Sequence, residues 1–148
     1  MSKSEFDFIF PDELVNMFER VANDDTLAEK LFDGVGEIIE EKMKQECHKH
    51  DNTGELANSI NASKVYTGKD GMKTVYVRPT GYSKHTFNRV NGSGHIRKYP
   101  VHNGFKLVEL EYGNSHQPPR PMLDRIKREV NDKVVSKMQE NLNKEVGD

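Results

Sequence analysis

The sequence contains no tryptophan and only one cysteine, Cys47, among its 148 residues. A single cysteine cannot form a disulfide within the chain, which favours a reducing compartment. No run approaches the roughly 20 apolar residues that a membrane-spanning helix needs. The first residues also lack the basic start and apolar stretch of a secretory signal. We therefore expect a protein that is made in the cytoplasm and has no membrane partner.

Patterns that carry phosphate, metal or nucleophilic chemistry are scarce as well. Gly34-Val35-Gly36 lacks the third glycine and the preceding strand of a dinucleotide-binding loop. The lone cysteine excludes a paired-cysteine zinc site, and the six histidines are scattered along the chain. We therefore predict no cofactor, no metal site and no catalytic residue, and we expect a protein that is not an enzyme.

Charge is distributed unevenly along the chain, although the net charge is only −2. Residues 1–50 contain 6 basic and 13 acidic side chains, whereas residues 64–106 contain 9 basic and 1 acidic. Such a division lets neighbouring copies associate through opposite charges, or lets the basic segment face nucleic acid. The simpler alternative is a pair of solvated faces with different charge.

Hydrophobic spacing predicts helices in the first third of the chain. A short helix is predicted over residues 11–22, and a longer one from Thr26, where Thr26 and Glu29 form a capping-box pattern. Gly34 and Gly36 lie inside this second helix and indicate either close backbone packing or a kink. After a turn at residues 51–54, Leu56 and Ile60 are four residues apart and predict a short docked helix.

The middle of the chain shows strand patterns. Residues 62–67 and 72–78 predict a hairpin, and residues 79–104 form a basic projecting loop or a long hairpin. Residues 105–112 alternate and predict a half-buried strand. A final helix is predicted from Pro121, with apolar residues at intervals of four up to Val146.

These elements predict an α+β fold. We expect a small antiparallel sheet of three to four strands, packed against a long N-terminal helix and a C-terminal helix. The prediction places residues 1–148 in a single domain and makes residues 81–104 a mobile loop.

Three segments, in this order, resemble a family of tail-component proteins of tailed phages and prophages. They are TGELANSI at Thr53–Ile60, VELEYG at Val108–Gly113 and PPRPML at Pro118–Leu123. The family is described as head–tail joining, neck or tail-completion proteins. Asn114 and the long basic loop depart from its usual pattern. Each motif also has a structural interpretation, as a turn, a docked helix, the end of a strand or the start of a helix. The residues concerned are Thr53, Gly54, Leu56, Ile60, Gly113, Pro118 and Pro121.

The resemblance implies a structural protein of the virion that forms a homo-oligomeric ring at the junction of head and tail. Its partners would be other copies of itself and phage connector and tail proteins, after synthesis in the bacterial host. The residues that we predict for assembly are Arg89, Arg97, Lys98, Glu109, Glu111 and Tyr112.

Two other functions compete with this interpretation. The basic 64–106 segment, with aromatic residues interleaved, could bind nucleic acid, although a pI near 6.3 argues against a free nucleic-acid binder. Glu109 and Glu111, predicted on one strand face near Lys106, could serve a metal-dependent nuclease. A cytoplasmic regulatory module is a third alternative.

Overall fold

The structure, a computed structural model, describes residues 11–12, 15–16, 19, 25–50 and 53–146. Most of the helix predicted over residues 11–22 lies outside this range. The fold is mixed α+β, as predicted. The helices are α1 (Asp25–Leu31), α2 (Val35–His48), α3 (Glu55–Ser59), α4 (Asn103–Tyr112) and α5 (Leu123–Val146). The strands are β1 (Ile60–Ala62), β2 (Tyr66–Thr67), β3 (Lys73–Thr74), β4 (Val77–Pro79), β5 (Tyr82–Val90) and β6 (Ile96–His102).

The described residues group into two compact units. The first contains those up to Lys42, then Ala62–Val77, and those from Asp124 onward. The second contains Met43–Asn61 and Arg78–Leu123.

The core of the first unit comes from apolar stripes on three helices. Each fully buried aliphatic side chain of this kind contributes about 1.5–3 kcal/mol relative to exposure. The spacing of four that predicted the C-terminal helix is confirmed by burial along α5. The buried residues of this unit are Ala28, Leu31, Val35, Ile39, Ile126, Val130, Val134, Met138 and Leu142.

The long helix predicted from Thr26 is two helices. Thr26 lies inside α1, which begins at Asp25, so its predicted place as the N-terminal cap was wrong. The chain turns between α1 and α2, where Gly34 has a φ of +76°, a conformation that favours glycine. Asn141 on α5 is buried there, and its Nδ2 donates hydrogen bonds to the carbonyl oxygens of Leu31 and Asp33 at 2.9 and 2.8 Å.

Gly36 allows close backbone packing, the other role that was predicted for this glycine pair. A Cβ at Gly36 would lie 2.8 Å from the Ala62 Cβ and 3.3 Å from Val75 Cγ1. The missing side chain therefore allows α2 to approach the chain that contains Ala62 and Val75. The kink and the close packing both occur, at two glycines separated by a single residue.

The predicted sheet of three to four strands is not formed by the described residues. The strands instead pair two by two, as β1 with β4, β2 with β3, and β5 with β6. Only the central part of the hairpin predicted over 62–78 is formed by β2 and β3, in which Tyr66 pairs with Thr74 and Thr67 with Lys73. The segment predicted as a basic loop or a long hairpin is the β5–β6 hairpin.

The strand predicted over 105–112 was wrong, because this segment is helix α4. The same region also fits a helix, because Asn103, Leu107 and Leu110 are four and three residues apart and so fall on one helix face. Asn103 and Leu110 are buried. The His102 imidazole accepts a hydrogen bond from the Gly104 N–H at the start of the helix. Gly113 ends α4 with a φ of +74°, so it closes a helix and not a strand.

Candidate assembly surface

The β5–β6 hairpin is a long two-stranded ribbon with regular pairing over its outer half. The register joins Thr86 with Pro100 and continues to Val90 with Ile96, after an irregularity between Tyr82 and Thr86. Asn91 closes the tip, because its Oδ1 accepts hydrogen bonds from the N–H groups of Ser93 and His95. The hairpin therefore has a defined shape, set by its turn and its cross-strand ladder.

One face of the hairpin combines aromatic and cationic side chains. Phe87 lies opposite Tyr99, and their rings stack with centroids 5.7 Å apart and planes at 28°. Two residues further along, Arg89 lies opposite Arg97. Since residues two apart on a strand share a face, the ring pair and the guanidinium pair lie side by side. We call these four residues the aromatic–arginine face.

The opposite face and the tip are apolar and basic. Val90 pairs with Ile96 beside the turn, and their side chains are 63% and 67% exposed. Lys98 pairs with Asn88 on this same face, so it is separated from Arg97 by the ribbon. The three predicted basic assembly residues are thus all on the hairpin, but only Arg89 and Arg97 are directly opposed.

The outer part of this ribbon lacks a packing layer among the described residues. Every residue from Lys84 to Val90 and from Ile96 to Pro100 is exposed. An isolated two-stranded hairpin is marginally stable in water, and its outer edges present unpaired backbone groups that can pair with another chain. A ribbon with exposed aromatic and β-branched side chains and two open edges has the properties of a docking element.

The base of the hairpin is fixed by a polar cluster around Glu55 of α3. The Glu55 carboxylate accepts hydrogen bonds from Lys106 Nζ at 2.9 Å, from the Lys84 N–H at 2.7 Å and from Ser83 Oγ at 3.1 Å. These donors, chiefly Lys106, lower the pKa of Glu55 to about 2. The carboxylate therefore joins α3, β5 and α4 at the point where the ribbon begins.

Neither Glu55 nor Lys106 was predicted as a site residue in this role. Glu55 lies within the TGELANSI segment, where the sequence gives no sign of its partner 51 residues away. Asn103 adds a second contact at the same base, because its Nδ2 donates to the Thr80 carbonyl oxygen at 2.9 Å.

The predicted acidic residues lie on α4 and not on a strand. Glu109 and Glu111 are two apart on a helix, so they do not share a face as predicted. Glu109 accepts a hydrogen bond from Asn114 Nδ2 at 3.1 Å. Glu111 accepts from the Met122 and Leu123 N–H groups at 2.8 and 3.3 Å, at the start of α5. A carboxylate at that position satisfies free helix N–H groups and complements the helix dipole.

Tyr112, the remaining predicted assembly residue, is 57% exposed at the end of α4. It borders an open groove formed with the Gly113–Pro119 segment. The structure thus separates the predicted set, with the basic residues on the ribbon and the acidic residues and Tyr112 on α4.

The motif residues occupy structural positions. Thr53 Oγ1 accepts a hydrogen bond from the Glu55 N–H at 3.3 Å, and Gly54 precedes α3 with a φ of +73°. Leu56 and Ile60 are both buried, but only Leu56 lies on the predicted short helix, because Ile60 is extended and begins β1. At Gly113, a Cβ would lie 2.7 Å from the Pro119 nitrogen, so the chain needs glycine there. Pro118 and Pro121 lie in the connection between α4 and α5.

Two other kinds of feature are absent from the part of the chain that the structure describes. No group of three or more His, Cys, Asp or Glu side chains is arranged to hold a metal ion among those residues. None of the described helices is both long enough and apolar enough to cross a bilayer.

Comparison with known proteins found no matching family model, no similar curated protein and no similar solved structure.

Proposed function

We propose that this chain is a structural protein of a tailed phage or prophage. It joins or completes the tail at the head–tail interface by assembling into a homo-oligomeric ring. The observation that carries the proposal is the β5–β6 hairpin. Its outer half is exposed on both faces and places cations that have no partner among the described residues beside large apolar side chains. Such a ribbon gains a packing layer when it docks on another chain.

The ordered resemblance of three segments to tail components supports the same proposal. In two of these segments, the described contacts support a scaffolding role: Leu56 and Ile60 are buried, and Gly113 permits the close approach of Pro119. Glu111 of α4, which accepts a hydrogen bond from the Met122 N–H just before α5, adds a third structural contact. The motif residues therefore shape the protein, while the hairpin presents side chains to a partner.

The proposal is tested by the mass of the purified chain in solution. Light scattering over a concentration series, with electron micrographs of any large species, should show a ring-sized oligomer. The variant with Arg97→Glu and Lys98→Glu should lower this mass, because it reverses charge on both faces of the ribbon. A chain of protomer mass at every concentration, with no rings in micrographs, would contradict homo-oligomeric assembly.

A matched control changes the same number of charges outside the hairpin. Lys64 and Lys69 are exposed and belong to the same basic segment. Reversing both to Glu should leave the oligomer intact, because neither lies on the ribbon. Equal loss of mass in this control would mean that net charge, and not the hairpin, governs association.

Binding of single-stranded nucleic acid is a second candidate function, favoured by one observation. The stacked Phe87–Tyr99 pair lies beside Arg89 and Arg97, and aromatic rings next to guanidinium groups suit stacked bases and phosphates. Fluorescence anisotropy with a labelled oligonucleotide tests it. Binding that is lost in the Phe87→Ala variant would support this function, and the absence of binding at low salt would exclude it.

A further inference from the structure

The two opposed arginines of the hairpin lack a counter-charge within the ribbon. Arg89 and Arg97 are directly paired in the register, and residues 82–102 contain no aspartate or glutamate. Like charges directly opposite each other on neighbouring strands are destabilising. Both residues are exposed, and neither forms an ion pair with another described residue. This arrangement is relieved when an anionic partner neutralises both guanidinium groups.

Helix α2 carries a pair of the opposite sign. Glu37 and Glu41 are exposed and four apart, so they lie on one side of the helix, and neither is paired with another described residue. Like charges at this spacing also repel each other. Side chains four apart on a helix have Cβ atoms roughly 5–6 Å apart, and opposed residues of an antiparallel pair have Cβ atoms about 4.5–5.5 Å apart. The two pairs are therefore similar in spacing and opposite in charge.

Apolar groups accompany both charge pairs. On the hairpin, the stacked rings of Phe87 and Tyr99 lie next to the arginines. On α2, Ile38 is half-buried beside Glu37 and one turn from Glu41, and it lines an open groove of about 420 Å³ with residues of α5. A contact between the two surfaces would join aromatic rings with an aliphatic side chain while it joins guanidinium with carboxylate groups.

We propose that the aromatic–arginine face of one copy docks on the Glu37–Glu41 side of α2 in a second copy. This inference rests on the proposed function and names the contact through which the ring forms. Because the two surfaces are different, the contact is head to tail, and its repetition closes a ring when the rotation between neighbours divides a full turn. Arginine and carboxylate groups form paired, directional hydrogen bonds, which would fix the angle between neighbours.

A charge exchange tests this contact. One variant carries Arg89→Glu and Arg97→Glu, and a second carries Glu37→Arg and Glu41→Arg. Each alone should lose the oligomer in light scattering, since like charges then face each other. A mixture of the two should recover a complex, because the reversed hairpin of the first fits the reversed helix of the second. The matched control, Glu29→Arg with Asp124→Arg, reverses two other exposed carboxylates and should assemble normally.

The outcomes separate this contact from the proposed function. If the wild-type chain forms rings while the α2 variant still assembles like the control, the contact is wrong but ring formation stands. If the wild-type chain never assembles, the proposed function itself fails. If the hairpin variant loses oligonucleotide binding and keeps its oligomer, the arginines serve nucleic acid and the contact is overturned. Recovery of a complex only in the mixture supports the contact.

Discussion

At the scale of single residues, Glu55 joins the start of the hairpin to the helices beside it. Its carboxylate accepts hydrogen bonds from Lys106, from the Lys84 N–H and from Ser83, and so fixes the start of the ribbon. The side chain is only 20% exposed, which limits competition from water. A docking ribbon needs a fixed base, because its side chains must reach the partner at a constant angle.

The pH dependence of stability tests this role of Glu55. Its pKa is lowered from 4.5 to about 2 in the folded chain, chiefly by the hydrogen bond from Lys106. A lowered pKa stabilises the fold above the unfolded pKa, and this stabilisation is lost as pH falls through the folded pKa. The difference in melting temperature between the wild type and Glu55→Gln should therefore be constant above about pH 4.5 and shrink toward pH 2.

Glu29→Gln is the matched control, since it removes an exposed carboxyl group that has no described partner and lies outside the proposed contact. A wild-type advantage over Glu55→Gln that stays unchanged down to pH 2 would contradict the assigned cluster. Thermal unfolding followed by circular dichroism, at a series of pH values, gives all three curves.

At the scale of elements, the turn between α1 and α2 depends on a side chain from α5. Asn141 is buried and donates to the Leu31 and Asp33 carbonyl oxygens. Asn141→Ala would leave both carbonyls without this donor, at a cost of roughly 1–3 kcal/mol in the free energy of unfolding. Urea denaturation measures this loss.

Asn143→Ala provides the comparison on the same helix. The Asn143 side chain is exposed and accepts a hydrogen bond from Gln139 Nε2. Its replacement should change stability by no more than about 0.5 kcal/mol. Equal stability of the two alanine variants would show that the Asn141 hydrogen bonds do not hold the turn.

The elements that could be predicted from the sequence are those in which apolar residues repeat at one regular interval over a long segment. The stripe of α5, with Ile126 to Leu142 at intervals of four, is buried as expected. The segment 105–112 could not be predicted in the same way, because eight residues fit both a strand and a helix. Its assignment as α4 depends on flanking groups, including the His102 cap and Gly113. Because this segment is a helix and not a strand, Glu109 and Glu111 do not share the face that was predicted for them.

Contacts between distant residues were the other part that the sequence did not predict. The basic character of the hairpin and its three predicted cations could be read from composition. The partners of Glu55 and Asn141 could not, since their contacts join residues 51 and 110 positions apart without any local pattern. At Gly34 and Gly36 the sequence predicted two possible roles, and only the fold assigned one to each.

At the scale of the whole molecule, we propose that the β5–β6 hairpin is a docking element for another copy of the chain. In such a contact, charge on the aromatic–arginine face would orient the partner, and the rings and the open strand edges would add contact area. The backbone groups at the strand edges change their hydrogen bonding only if another chain covers the ribbon, which is not true of the side chains.

Amide hydrogen exchange of the assembled and the dilute protein tests this claim most directly. Assembly should slow exchange across Lys84–Val90 and Ile96–Tyr99, relative to the dilute chain, because a neighbour covers the ribbon and its edges. The buried stripe of α5 serves as the internal reference, and its exchange should change much less. An assembled protein in which the hairpin exchanges as fast as it does in the dilute chain would contradict the claim that the hairpin docks.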